Sequence, residues 1–124
     1  NEQIERQIVL GKGKKIVQFP EQLLGLMVRF VRGLRQDKDL EKVPSVRACI
    51  SLYERSQTMA LLCGRDKVTL SDIKEAVVSV LAHRVELKPS LRYVRSAEEV
   101  VASRFGDFVQ EQGKAIPHEG GEGL

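Results

Sequence analysis

Few side chains in this 124-residue chain have types and spacing suited to chemistry. His83 and His118 are its two histidines, and Cys49 and Cys63 its two cysteines. A zinc site draws its ligands from close pairs of such residues, and none of these four are paired in that way. No Ser, His and acid set stands out either. The neighbouring acids Asp37 with Asp39, and Glu98 with Glu99, are accounted for by a turn and by a helix start. Gly11-Lys12-Gly13-Lys14 has the residue types of a phosphate loop without its spacing. A P-loop places four residues between its glycines, then Lys, then a hydroxyl residue for magnesium. Here one residue separates the glycines, and Lys15 stands where Ser or Thr is required. The segment reads as a basic linker, and no catalytic residue is assigned.

One residue breaks a local rule. Arg47 falls in the first turn of a helix, where the helix dipole disfavours a cation by roughly 0.3–1 kcal/mol. One reading is a solvated arginine, or one paired with Glu41 or Glu54. The other is an arginine that reaches an external anion lying in front of the helix. A helix start offers free N–H groups to such an anion, and a guanidinium adds a charge-assisted fork.

The elements that would position Arg47 follow from apolar periodicity. Pro20 suits the first position of a helix that runs to about Asp37, with Leu23, Leu24, Met27, Phe30, Val31 and Leu34 as one stripe. A second helix begins near Pro44-Ser45 and ends at Cys63, with Gly64 as its left-handed cap. Val46, Cys49, Ile50, Tyr53, Ala60 and Leu61 give its inward face. Thr69 with Asp72 forms a capping box, and the third helix carries Ile73, Ala76, Val77, Val80 and Leu81. Pro89 argues against helix throughout Val85–Leu91. Ser96 with Glu99 opens a fourth helix, with Val100, Val101, Phe105, Phe108 and Val109 on one side. The expected organisation is a linker over 1–15, a helical domain over 16–112 that opens on a brief extended stretch, Ile16–Phe19, and a flexible tail over 113–124. The fold class is all-α, a small four-helix arrangement.

Composition agrees with this. Hydrophobic residues make up 42% and charged residues 30%, while aromatics are 5% with no Trp. Aliphatic side chains must therefore fill the core, which suits packed helices. A net charge of +3 permits a nucleic-acid or phosphate partner without demanding one. Cys49 and Cys63 lie on one helix, about 21 Å apart at 1.5 Å per residue, beyond disulfide reach. Reduced thiols fit a cytoplasmic protein. No apolar run approaches a bilayer-spanning length, and no signal peptide opens the chain. The start at Asn1 rather than Met reads as a piece of a longer protein.

Three segments in order now carry a resemblance. Pro44-Ser45-Val46-Arg47-Ala48, then Gly64-Arg65-Asp66-Lys67-Val68-Thr69-Leu70-Ser71-Asp72-Ile73, then Val80-Leu81-Ala82-His83-Arg84, resemble the C-terminal lid of MoxR-type AAA+ ATPases. Val28 to Leu40 looks like the first helix of that lid, and the Val43-Pro44 start is similar to the CbbQ, NorQ and CoxD-like branch. The resemblance covers roughly residues 16 to 90. It implies that Arg47 is the sensor-2 arginine, contacting the γ-phosphate of ATP held with Mg by a separate core domain. It implies a ring of subunits that couples hydrolysis to chaperone-like assembly or maturation of a client protein. The fragment alone would bind no cofactor. Arg65 and Asp66 match the family's turn, and a structural role is expected for both, with Asp66 helping to satisfy the turn backbone. Two other readings remain: a stand-alone helical adaptor for a protein partner, and, ranked last, a basic helical nucleic-acid binder whose affinity would fall steeply with salt.

Overall fold

The computed structural model describes residues 1–115, with six α-helices, one π turn and a two-stranded sheet. Helix α1 (Glu2–Lys12) starts from Asn1, whose side chain accepts the Ile4 N–H at 2.9 Å, and Glu2 and Glu5 occupy its first turn. These are the marks of a good helix start. Ile16–Phe19 is non-helical as expected, whereas the expected linker over 1–15 is thereby corrected: most of it is a helix with Val9 and Glu5 buried. The apolar signal there is short, and docking on the core completes it.

Helix α2 (Glu21–Leu34) follows Pro20, which takes the N-cap position rather than the first helical one. It stops at Leu34, and three successive tightened turns carry the chain on to Asp37. Its burial exceeds the one expected stripe: Gly25, Leu26 and Val28 are buried as well. Helix α1 covers that second face. The fit is close at Gly25, where the Arg6 guanidinium occupies the space a Cβ would need.

Strand β1 (Leu40–Lys42) leads to helix α3 (Val46–Leu62). Gly64 adopts φ +75°, and the bonds Arg65 N–H to Ala60 C=O and Gly64 N–H to Leu61 C=O complete a Schellman ending. Leu61, expected inside, is exposed, while Leu52, Ser56 and Gln57 are buried. Gln57 is satisfied across the fold: its Oε1 accepts from the Ile16 and Val17 N–H groups, and its Nε2 donates to the Lys14 carbonyl. The stretch before α2 is further held by a parallel bridge between Gln18 and Lys67.

Helix α4 (Leu70–Ala76) continues into a π turn over Val77–Leu81. Strand β2 (Glu86–Leu87) pairs antiparallel with β1, and Pro89 opens the short helix α5 (Pro89–Arg92). Helix α6 (Ala97–Ala115) opens on a reciprocal capping box between Ser96 and Glu99. It runs through residues 113–115, where the tail was expected to begin; the rest of that tail, with His118, lies outside the described residues.

Met27, Val31, Leu52, Ile73, Val77, Leu81, Val100 and Phe105 form one continuous apolar core drawn from α2, α3, α4, the π turn and α6. Phe30 meets Phe105 edge to face at 5.0 Å and Phe108 at 5.5 Å, which seats α6 on α2. Arg104 of α6 pairs with Asp37 and Asp39, fixing the loop that leads to β1. The architecture is mostly helical, as the sequence implied. The small sheet is its addition.

Candidate functional site

The start of α3 carries the features that made Arg47 unusual. Ser45 is its N-cap, in extended conformation, but its side chain makes no capping bond, and the first turn holds no acid. The orphan N–H groups of that turn are therefore left to solvent or to a ligand. Arg47 is exposed, and among the described residues no carboxylate pairs with it. Neither Glu41 nor Glu54 takes that part; Glu54 accepts the Lys14 N–H at 3.0 Å. The helix start thus presents positive potential from the dipole, free donors and an unpaired guanidinium together. Such an arrangement suits an oxyanion.

What holds this helix start in place was not visible in the residue pattern. Glu5 of α1, 3% exposed, sits behind it. Its two oxygens accept from Arg35 at 2.8 and 2.7 Å, and the Cys49 thiol donates to it at 3.1 Å. Arg35 also donates through Nε to the Pro44 carbonyl at 2.8 Å. Burial alone would raise the Glu5 carboxyl, but the hydrogen bonds from Arg35 and Cys49 outweigh it and hold its pKa below the ordinary value. Burial, and then the Glu5 carboxylate, push the Cys49 thiol well up. Cys49 is therefore no nucleophile. The clue in the sequence was Asn1 with Glu2 and Glu5, a helix start that would have placed Glu5 on an inward face with Val9.

The turn after α3 is structural. Arg65 clasps the Asp72 carboxylate, with one nitrogen at 2.8 Å, and Asp72 accepts the Thr69 backbone N–H at 2.8 Å. Asp66 joins the turn through its backbone rather than its carboxylate: its carbonyl accepts the Gln18 N–H at 3.0 Å. Both cysteines are free; Cys49 is buried and Cys63 exposed. Among the described residues no three His, Cys, Asp or Glu side chains group as a metal set. No helix there is long and apolar enough to cross a membrane. A shallow cleft of about 260 Å³ between β2, α5 and α6 is lined by Val85, Leu87, Arg92, Arg95 and Ala97, and Arg47 is not part of it.

The model of the AAA lid domain matches residues 41–103, just over half of the chain, from β1 through the first turns of α6. The chain belongs to the AAA lid domain family. It is thus an AAA lid domain, and the matched stretch contains Arg47 and the Arg65–Asp72 turn. A crystal structure of a candidate ATPase from Cytophaga hutchinsonii is similar to it, with a TM-score of 0.63 and 25% identity over 73% of this chain. The lid spans 30% of that protein's length. No curated protein matches the chain.

Proposed function

We propose that this lid is the C-terminal, sensor-2 domain of a MoxR-like AAA+ ATPase and that Arg47 reaches the γ-phosphate of ATP at the junction between core and lid. The observation that carries the reading is the uncapped, acid-free start of α3 with an exposed, unpaired Arg47, inside the segment matched by the lid family. The core domain supplies the phosphate loop and Mg; this chain supplies one guanidinium and the helix dipole behind it. Charge develops on the transferring phosphoryl group, and a positioned arginine stabilises it. Because Arg47 is fixed to the lid, its engagement ties the phosphate's state to the angle between core and lid. A ring of such subunits in the cytoplasm passes that movement to a client protein, as chaperone-like assembly or maturation.

The test is ATP turnover by the full-length ATPase carrying this lid, as wild type, Arg47→Ala and Arg47→Lys. The expected result is a fall of about tenfold or more in kcat/KM for alanine, with partial activity for lysine, which keeps the charge and loses the fork. Turnover unchanged by Arg47→Ala removes the sensor role.

A further inference from the structure

We infer that Arg35 is a positioning residue for Arg47, and that buried Glu5 holds Arg35 in that task. The inference rests on the sensor reading of Arg47 and extends it to residues from two other helices.

The argument begins with an oxygen outside the helix ladder. The first carbonyl to accept within α3 is that of Ser45, from the Ala48 N–H at 3.1 Å. The Pro44 carbonyl precedes it and takes its hydrogen bond from Arg35 Nε. Pro44 is buried, and after the planar peptide bond the only soft torsions between this oxygen and the first residue of α3 are those of the N-cap Ser45, at φ −97° and ψ 179°. Fixing the oxygen therefore fixes the direction in which Arg47 leaves the helix.

Arg35 suits the task because its donors lie in one rigid plane. Two nitrogens are spent on the Glu5 oxygens at 2.8 and 2.7 Å, which sets the plane, and Nε is then aimed at Pro44. Arg32 adds a weaker contact to Glu5 at 3.5 Å. Residues from α1, the end of α2 and the entry to α3 thus meet at one guanidinium. Stability alone does not demand this arrangement. A buried ion pair is often replaced by apolar residues without loss, but an apolar pair offers no donor to the Pro44 carbonyl.

The experiment is a double-mutant cycle in the full-length ATPase, with ATP turnover measured for Arg47→Ala, Arg35→Lys and the two combined. Arg35→Lys keeps the charge but cannot bond Glu5 and Pro44 in one plane. The expected result is a loss of several-fold to tenfold in kcat/KM for Arg35→Lys alone, and no further loss, within twofold, when it is added to Arg47→Ala. A merely structural role would lower turnover by the same factor in both backgrounds, and that outcome overturns the inference, as does an Arg35→Lys enzyme with normal turnover. If Arg47→Ala alone leaves turnover unchanged, the sensor reading fails and this inference falls with it. Should Arg35→Lys unfold, Glu5→Gln repeats the cycle at constant volume, with the same pattern expected at smaller amplitude and the same additive result overturning it.

Discussion

Arg65 grips Asp72 from the far side of the turn between α3 and α4, donating to both carboxylate oxygens while Asp72 accepts the Thr69 N–H. One carboxylate thereby closes a salt bridge and caps a helix. Asp72 is 2% exposed, so its charge is nearly desolvated.

Asp72→Asn removes the charge from a pair that is buried on the Asp72 side alone, and it weakens the cap. A loss of about 2–3 kcal/mol is expected, below the full range for breaking a buried pair because Arg65 can turn to water. Urea unfolding of the chain measures it, and a change under about 0.5 kcal/mol would contradict this account.

Acid sensitivity follows from the same chemistry. Burial raises the carboxyl pKa of Glu5, Asp37 and Asp72, yet hydrogen bonds from Arg35, Arg104 and Arg65 outweigh it and leave each below its ordinary value. As pH falls, the unfolded chain therefore takes up these protons before the folded one does. The stability they contribute is complete above the unfolded values, near pH 4, and is lost as pH drops through the lower folded values. Unfolding free energy measured from pH 8 to 2 should show no loss from these groups above about pH 5 and a decline below about pH 4. The decline should be shallower in Asp72→Asn. An equal slope in both proteins would count against the assignment.

Two glycines should respond with opposite signs. A Cβ on Gly13 would lie 2.5 Å from the Tyr53 ring and 2.9 Å from the Val9 carbonyl, whereas one on Gly33 meets nothing within 4 Å. Gly13→Ala is expected to destabilise by about 1–3 kcal/mol through overpacking. Gly33→Ala, at an exposed helical position, should stabilise by about 0.5–1 kcal/mol. Thermal unfolding of the two variants decides the matter: a stabilised Gly13→Ala would refute the packing at Gly13, and a destabilised Gly33→Ala the open space at Gly33.

Arg47 itself should separate stability from activity. Among the described residues no carboxylate pairs with it, and it opposes the dipole at the start of α3. Arg47→Ala should leave folding unchanged or raise stability by about 0.3–1 kcal/mol, while the full-length ATPase loses turnover. A variant that is destabilised by more than that would point to a structural arginine.

Most of the fold was legible because its signals are local. Gly64 ends α3, Ser96 with Glu99 starts α6, and the stripes of α2, α4 and α6 lie where their periodicity places them. Helix α1 was not legible, because its apolar content is small and its partners lie on α2 and α3. The same omission hid the support of the site: a lone Glu5 gains meaning only when Arg35 and Cys49, 30 and 44 residues away, close around it. The β1–β2 pairing escaped for a similar reason. Strands of three and two residues carry no readable alternation and owe their form to the loops they join. Arg47 stood out in the sequence through the rule it broke, and its exposure is a finding of the structure.

The thiol of Cys49 makes a clock of this arrangement. While α1 is docked, the sulfur is buried against the Glu5 carboxylate and its pKa is held high, whereas Cys63 stands open to solvent. A thiol reagent can therefore count events at two speeds in one molecule. Cys63 marks time for the folded chain, and Cys49 is labelled only when α1 lifts away. The ratio of the two rates gives the fraction of time that the helix is undocked. Compared with and without nucleotide in the full-length ATPase, it would reveal whether the cycle ever releases α1.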